Sequence, residues 1–421
     1  MNTIESKSIL AGINTLFTMK ALSILLILFN LLFSCTQKKE VDNIVDLTLI
    51  TEPNSTNLSE LGSEITYIPL ETNASCIIQQ IDELIYEGRA YFLRSTNENK
   101  VTPEKGAPPP PPMMPTRSLY RFSKNGEFIC QISRQGGGPS EYRYIQDFLY
   151  NINNNTINIF IPNDIKEFSL DGIWGKNTII EYNGKVSSIG YTNNQILGFV
   201  ENAEGKNEYS FVLYNANGQI INKYKNKYKF NVSTGAILFN HECIFYQNNE
   251  LLHCKELNSD TIFSFDKGTF IPKYILKQGE AKYTTDLREK SMTTNLTKYI
   301  IQKNLFESEK YLFFQYNWEN RYNCFIKNKS NGTQYLIDNE IGLVNDLDSG
   351  PNFKILNTIT VDGTEYMISW IHAFELKAHI DSDAFKNSTS KFHEKKEELE
   401  LLANSLNEND NPVLMLVKLK K

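Results

Sequence analysis

Hydrophobic and polar positions alternate along this chain in short runs, and the runs come in pairs. Each pair reads as a strand, a short polar turn and an aromatic-rich strand. Six are evident: IDELIYEGRAYFL (81–93), IQDFLYNINNNTINIFI (145–161), VSSIGYTNNQILGFV (186–200), HECIFYQNNELLHC (241–254), KNLFESEKYLFFQYNW (303–318) and ILNTITVDGTEYMISW (355–370). A period of two bounded by turn residues predicts β-hairpins. Second hairpins follow five of them, near residues 119, 165, 211, 262 and 322.

Turn signals mark the same repeat. Asn-Gly or Asp-Gly stands at 125–126, 171–172, 183–184, 217–218, 331–332 and 362–363. Such dipeptides predict type I′ turns, which need φ > 0 at both central residues. Those at 125, 171 and 217 are spaced by 46 residues, and their flanks (LYRFSKNGEFICQI, IKEFSLDGIWGKNTI, FVLYNANGQIINKY) align without gaps. A period near 45 is that of four-stranded propeller blades. The sixth pair lacks a second hairpin. The terminal strand NPVLMLVKLK (411–420) can supply its partner, and an early strand, EITYIPLE (64–71), can close the ring. Joining first to last blade protects sheet edges. The expected fold is all-β: one six-bladed β-propeller over 61–421.

Two segments break the repeat. Residues 95–116 hold five consecutive prolines, Pro108 to Pro112. Proline cannot donate to a ladder, so this reads as an extended surface insertion. KFHEKKEELELLANSLNEN (391–409) places Leu399, Leu402 and Leu406 at helical spacing. It predicts a short amphipathic helix packed on the propeller.

The N-terminus reads as an address. ALSILLILFNLLF (21–33) is too short to span a bilayer but suits the apolar core of a signal peptide, with Lys20 before it and Met19 as the better start. The run ends Leu32-Phe33-Ser34-Cys35, then TQKKE. This resembles a bacterial lipobox, although Phe33 replaces the usual small residue. Residues 1–34 are expected to be removed, Cys35 to carry lipid, and 35–60 to form a linker with a first strand. Several acyl chains on one Cys anchor stably, at about 0.8 kcal/mol per buried CH₂.

Five cysteines remain, too few and too scattered for a disulfide framework. A turn at Asn248-Asn249 would set Cys243 opposite Cys254, with Cα atoms about 5.5 Å apart. A disulfide, a plain pair of small apolar residues, or a metal site with His241 all fit. Composition narrows function further. Net charge is −6 with a pI near 5.6, and the chain has 5 His. That balance does not suit nucleic-acid binding, and it leaves little room for a multi-His metal centre.

Four stretches share a likeness. SRQGGGPSEYRYIQDF (133–148), ITYIPLET (65–72), NDLDSGPNF (345–353) and NENDNPVLMLVKLK (407–420) together resemble the motifs of six-bladed β-propeller lipoproteins of Bacteroidota. Ser140 and Ser349 stand where that family often has Gly. The resemblance implies an NHL-like propeller in the cell envelope, outer membrane included, and no particular activity.

Candidate chemistry is sparse. There is no G-x-S-x-G, Walker A, H-E-x-x-H or paired C-x-x-C, and no catalytic set emerges. The glycine loop either makes a tight connection needing φ > 0 or offers a ligand its amides beside Arg134, Gln135, Gly136, Gly137, Gly138, Glu141 and Tyr142. Asp346 and Asn352 are a second candidate group. The D-x-D pairs Asp346/Asp348 and Asp381/Asp383 lack a full Ca²⁺ ligand set, though Ca²⁺ is the one cofactor they suggest. Trp174, Trp318 and Trp370 can stack on a sugar or fill blade cores. The expectation is a non-catalytic envelope protein that binds a small glycan or peptide ligand or an outer-membrane partner. The alternative is a metal-dependent hydrolase or lyase at the propeller mouth.

Overall fold

The computed structural model describes residues 43–97, 116–161, 163–232, 238–290 and 293–420. The leader, Cys35 and most of the polyproline insertion lie outside them. The first ordered elements are β1 (Ile44–Asp46), a helical turn α1 (Leu58–Leu61) and β2 (Gly62–Pro69). Blade 1 then comprises β3 (Gln80–Glu87), β4 (Ala90–Asn97), β5 (Thr116–Ser123) and β6 (Phe128–Gln131). Blade 2 is β7 (Asp147–Asn151), β8 (Thr156–Ile161), β9 (Asp164–Ser169) and β10 (Trp174–Ile179). Blade 3 is β11 (Val186–Thr192), β12 (Gln195–Val200), β13 (Tyr209–Tyr214) and β14 (Ile220–Lys225). Blade 4 is β15 (Cys243–Asn248), β16 (Leu251–Glu256), β17 (Thr261–Asp266) and β18 (Thr269–Lys277). Blade 5 is β19 (Ile301–Glu307), β20 (Tyr311–Trp318), β21 (Arg321–Asn328) and β22 (Gln334–Asp338). Blade 6 takes β23 (Asn357–Val361), β24 (Thr364–Ile371) and β25 (Val413–Leu419) from the C-terminal part, and β2 completes it.

The expected closure is present: β2 pairs antiparallel with β25 from Gly62↔Leu419 to Pro69↔Val413. First strands of neighbouring blades touch from β7 through β11, β15 and β19 to β23, and β23 reaches β3. Six apolar clusters fill the wedges between adjacent blades. Each sheet is therefore covered on both faces, which is why strands such as YLFFQYNW are apolar at almost every position.

Connections within a blade alternate between the two ends of its strands. At one end sit the tight turns 1–2 and 3–4. At the other sit the 2–3 connections and the crossings to the next blade, and there the long insertions gather.

Four turns depart from the type expected. At 125–126, 171–172, 217–218 and 331–332 only the glycine has positive φ, +86°, +77°, +80° and +77°. The amide of Gly126 donates to Ser123 O at 3.0 Å, and Ser123 N to Glu127 O at 2.8 Å. This is a type I turn with a glycine bulge, the three-residue solution. Two left-handed residues instead occupy Asn193-Asn194, Asn249-Glu250, Glu319-Asn320 and Asp362-Gly363. Asn183-Gly184 makes no hairpin, because it lies where the chain crosses from β10 to β11 in separate sheets.

The Asn249-Glu250 turn also resets the cysteine register. Cys243 faces Glu256 and Cys254 faces Phe245, so the two cysteines are diagonal neighbours. Diagonal Cα atoms lie about 7–8 Å apart, outside the disulfide range. Both carry free thiols in the apolar wedge between blades 3 and 4.

Two features exceed the sequence expectations. β1 adds a fifth, parallel strand to blade 4, through Ile44↔Ile275 to Asp46↔Lys277. The 2–3 connection of blade 6 carries three helices: α3 (Ala373–Asp381), α4 (Asp383–Lys386) and the expected α5 (His393–Ser405), with α2 (Thr285–Glu289) lying earlier in the chain. Leu376, Ile380, Phe385, Leu399 and Ala403 pack together on Val413, so the insertion rests on the propeller as its leucine spacing predicts.

Candidate functional site

The glycine loop joins blade 1 to blade 2 and is filled by its own side chain. Glu141 accepts from the Gly138 amide at 2.8 Å and from Arg134 Nε at 2.8 Å. Those two donors hold its carboxyl below the ordinary value. Gln135 Nε2 donates to Arg143 O at 2.9 Å, and the buried Tyr142 donates its hydroxyl to Arg117 O at 3.0 Å. None of Gly136, Gly137 and Gly138 has a left-handed φ; the left-handed residue is Ser133, at +63°. A Cβ on Gly136 would come within 2.1 Å of Glu141 Oε2. Space for that carboxylate, not backbone twist, explains glycine there. The amides that could cradle an anion already hold one.

Asp346 and Asn352 lie in another sector, between blades 5 and 6. Asp346 accepts from Ser59 N at 2.9 Å and Ser59 Oγ at 2.6 Å, and pairs with Lys391 Nζ at 2.6 Å. It fastens the N-terminal segment and the helical insertion to the ring. Asn352 is exposed. Asp348, by contrast, is fully buried, accepting from Gly350 N at 2.9 Å and Tyr67 OH at 3.3 Å. Trp174 is exposed at the outer edge of blade 2, bonded to Asn177. Trp370 packs in the wedge between blades 6 and 1.

The axis draws together residues the motif search missed. Each first strand enters through four comparable positions: Ile81-Asp82-Glu83-Leu84, Ile145-Gln146-Asp147-Phe148, Val186-Ser187-Ser188-Ile189, Glu242-Cys243-Ile244-Phe245, Gln302-Lys303-Asn304-Leu305 and Ile355-Leu356-Asn357-Thr358. The register slips at Asp82, Ser187 and Lys303, so blades 1, 3 and 5 carry a bulge at the same point. Bulges re-aim side chains and are frequent at rims. At the third position Asp147, Asn304 and Asn357 accept from the next amide at 2.8, 2.9 and 2.8 Å.

Side chains then reach from blade to blade. Arg94 Nη1 donates to Gln146 O at 3.0 Å, Ser188 Oγ to Cys243 O at 3.5 Å, Gln302 Nε2 to His241 O at 2.7 Å and Asn304 Nδ2 to Leu356 O at 3.3 Å. Gln146 Nε2 donates to Ser187 O. The result is a polar collar at the long-loop end of the axis.

The collar is electrically uneven. Glu83 lies 3.3 Å from Arg94, and a third of its side chain, 33%, still meets solvent. Burial first, then the Asp147 carboxylate, pushes its carboxyl up to about 8. Burial also raises Asp147, against the pull of Arg94. Asp82 accepts from Thr96 Oγ1. On the far side His241 is exposed to solvent yet crowded by surrounding protein, and that desolvation, then the charges of Lys303 and Arg94, pulls it down to about 4. Arg94 belongs to blade 1 and His241 to blade 4, so these charges act across the axis. Among the described residues, no three His, Cys, Asp or Glu side chains are grouped to hold a metal ion.

Fold and collar define a six-bladed β-propeller with a polar, solvent-reached mouth. The chain belongs to the family described as a domain of unknown function, DUF4934, whose model matches residues 113–418. A second model, described as a 6-bladed beta-propeller (DUF5128), matches residues 36–102. Among solved structures, a "putative exported protein" of Bacteroides fragilis NCTC 9343 is similar, with TM-score 0.65 and 18% identity over 90% of this chain and 100% of that one. A Bacteroides caccae protein of unknown function has TM-score 0.37 and 9% identity over 62% of this chain and 81% of its own. The WD40 domain of Neurospora crassa Pan2 has TM-score 0.37 and 8% identity over 68% and 72%. A search of curated proteins finds no match.

Proposed function

We propose that this propeller is an exported envelope lipoprotein, anchored through Cys35, that binds a small ligand at its axial mouth without transforming it. The carrying observation is the collar: every blade contributes a side chain or carbonyl to one ring, and Glu83 within it meets solvent. Concave polar groups converging at one place are the ordinary mark of a binding site. Export draws support from the leader pattern of 19–35 and from the name of the Bacteroides fragilis relative. The likeness to NHL-like propeller lipoproteins points the same way.

Two experiments test the two halves. Cys35→Ala should move the protein from the membrane fraction to the soluble fraction; continued sedimentation with lipid defeats the anchor. A thermal-shift screen of oligosaccharides, peptides and divalent cations should raise the midpoint of the wild type, by mass action, and not that of Asp147→Asn. Equal shifts in both proteins place the ligand elsewhere. One observation favours a second reading, hydrolysis or elimination at the mouth. A carboxyl holding its proton to about pH 8 beside an ionisable partner suits a general acid. Turnover of glycosides or lactones that is lost in Glu83→Gln would establish it.

A further inference from the structure

We infer that the outer rim where blades 3 and 4 meet is a membrane-docking surface, which rests on the anionic headgroups of the bilayer that holds the Cys35 lipid. The choice of a bilayer as occupant rests on the proposed lipid anchor; the basic surface itself does not.

A stripe of positive charge marks this rim. From β14 onward the chain reads IINKYKNKYKF (220–230), with Lys223, Lys225, Lys227 and Lys229 at alternate positions and no acidic residue among them. All four lysines are exposed, whereas Asn226 and Phe230 are buried and Tyr224 and Tyr228 half-buried. Every second side chain thus points outward, as alternation in an extended chain dictates. The whole chain carries −6, so this concentration runs against its balance. Lysines commonly guard an open sheet edge, and β14 is the edge of blade 3. That accounts for Lys223 and Lys225, but Lys227 and Lys229 lie past the end of the strand. Lys223 lies over the rings of Tyr182 and Tyr209, at 5.7 and 5.4 Å, and Lys225 meets Glu208 at 3.9 Å in solvent. Among the described residues, no carboxylate pairs with Lys227 or Lys229.

Contacts place the stripe beside the entry of the N-terminal chain. Tyr224 donates to Gly268 O at 2.9 Å, so the end of β14 rests on the next blade's turn. Ser210 Oγ lies 3.3 Å from Asn226 Oδ1 and 2.9 Å from Glu256 Oε2, which ties the lysine segment to the end of β16. The turn that follows brings Asp260, whose carbonyl accepts from Leu276 N at 2.7 Å. Ile275 and Leu276 are the residues of β18 that pair with Ile44 and Val45 of β1. The chain from Cys35 therefore joins the propeller on the blade next to the lysines. Ile44 stands nine residues past Cys35, a length that extends to about 30 Å at most. Ile44 and Ile275, partners in register, are 50% and 43% exposed, and Leu49 is 69% exposed. Exposed apolar side chains beside unpaired lysines suit a bilayer surface, where phosphates meet the ammonium groups and acyl chains lie beneath. Salt screens the protein's more distant charges beyond about 8 Å, so its net negative charge does not cancel the local attraction.

Lysine acetylation footprinting of the full-length protein, read by mass spectrometry, tests this residue by residue. The protein is reconstituted with vesicles of phosphatidylcholine, or of phosphatidylcholine with phosphatidylglycerol, and flotation records binding. With phosphatidylglycerol present, Lys225, Lys227 and Lys229 should label about tenfold more slowly than with phosphatidylcholine alone, and high salt should restore the rate. Lys124 and Lys354, exposed elsewhere on the ring, should label equally in every case. In the Lys227→Gln/Lys229→Gln protein, which alters only exposed side chains, Lys225 should lose most of its protection. If the protein floats with both kinds of vesicle and the three lysines label equally in both, the anchor stands and the inference is wrong. If it floats with the anionic vesicles alone and the lysines are protected, the docking surface stands and the anchor falls. If it floats with neither, both fail. If soluble dextran sulfate protects these lysines and anionic vesicles do not, the surface serves an anionic polymer and the bilayer is the wrong occupant.

Discussion

At the residue scale, the buried charges are those most sharply constrained. Glu307 has no exposed side-chain surface and pairs with Lys273 at 2.7 Å and Lys329 at 2.8 Å, while Tyr246 donates to it at 2.6 Å. Burial alone would raise its carboxyl, yet the two ammonium groups hold it below the ordinary value. His253 is kept neutral by burial and then by Lys273, its basicity lowered to about 4. It thus accepts from Lys273 Nζ at 3.1 Å through Nε2 and gives its Nδ1 proton to Ser264 at 3.0 Å. Removing one partner of a buried pair leaves an uncompensated charge, and here two. Glu307→Gln should cost about 3 kcal/mol in urea unfolding, the low end of the usual range because both lysines keep a path to water. A loss under half that would show the network to be dispensable. Glu83 makes a pH prediction. Its carboxyl is raised from 4.5 to about 8 in the fold, so the native state binds more protons than the unfolded state between those values. Stability from this group is complete below pH 4.5 and drains away as pH rises toward 8. Glu83→Gln mimics the protonated form. Its denaturation midpoint should gain on the wild type steadily from pH 5 to 9; a constant difference would mean the raised carboxyl does not exist.

At the element scale, the evenly spaced glycine turns are read by the neighbouring blade. The Gly126 carbonyl accepts from Glu71 N at 2.8 Å, just past the end of β2, and that of Gly218 from Glu181 N at 3.3 Å, just past β10. A Cβ on Gly126 would meet Pro69 O at 2.1 Å, and one on Gly218 would meet Ile179 O at 2.0 Å. The ends of β2 and β10 thus seat on the next blade's turn, and no side chain fits between. Gly332 has the same left-handed φ but open space around it. Gly332→Ala should therefore lose only the conformational term, about 1–2 kcal/mol. Gly126→Ala and Gly218→Ala should lose clearly more, since backbone must move as well. Equal losses in all three would refute the docking role. The sequence marked these turns by Asn-Gly and by spacing, and it located every blade. It did not show which turn type would form, because one left-handed residue or two depends on the length of loop the strands allow. The same ambiguity misplaced Cys254: moving the turn from Asn248-Asn249 to Asn249-Glu250 shifts the whole register.

At the scale of the molecule, closure and site were legible to different degrees. Closure was readable because strand-forming segments were left over at both ends of a six-fold count. The collar was not, because its residue types do not repeat: Asp-Glu, Gln-Asp, Ser-Ser, Cys-Ile, Lys-Asn and Leu-Asn share only their place in the first strand. A search for polar pairs just before the first core position of each hairpin would have found four of the six, in blades 1, 2, 3 and 5. The glycine loop was legible as a tight connection, and its ligand-like groups prove to be one another's partners. The N-terminal segment adds a feature no motif announced. From β1 on blade 4 it passes blade 5, where Asn54 N donates to Leu336 O at 3.0 Å and Arg321 pairs with Glu52 at 2.7 Å. It then bonds Leu58 N to Val344 O at 2.8 Å before entering blade 6 as β2. Ring closure and this outer strap are separable. Deleting 411–421 removes β25, leaving β2 without its partner and β24 with an open edge, so cooperative thermal unfolding should vanish. Deleting 43–57 removes β1 and the strap but keeps β2 on β25. That variant should still unfold in one transition, at a lower midpoint. Should the strap deletion abolish the transition while the β25 deletion keeps it, the ring is held from outside and not by its shared sixth blade.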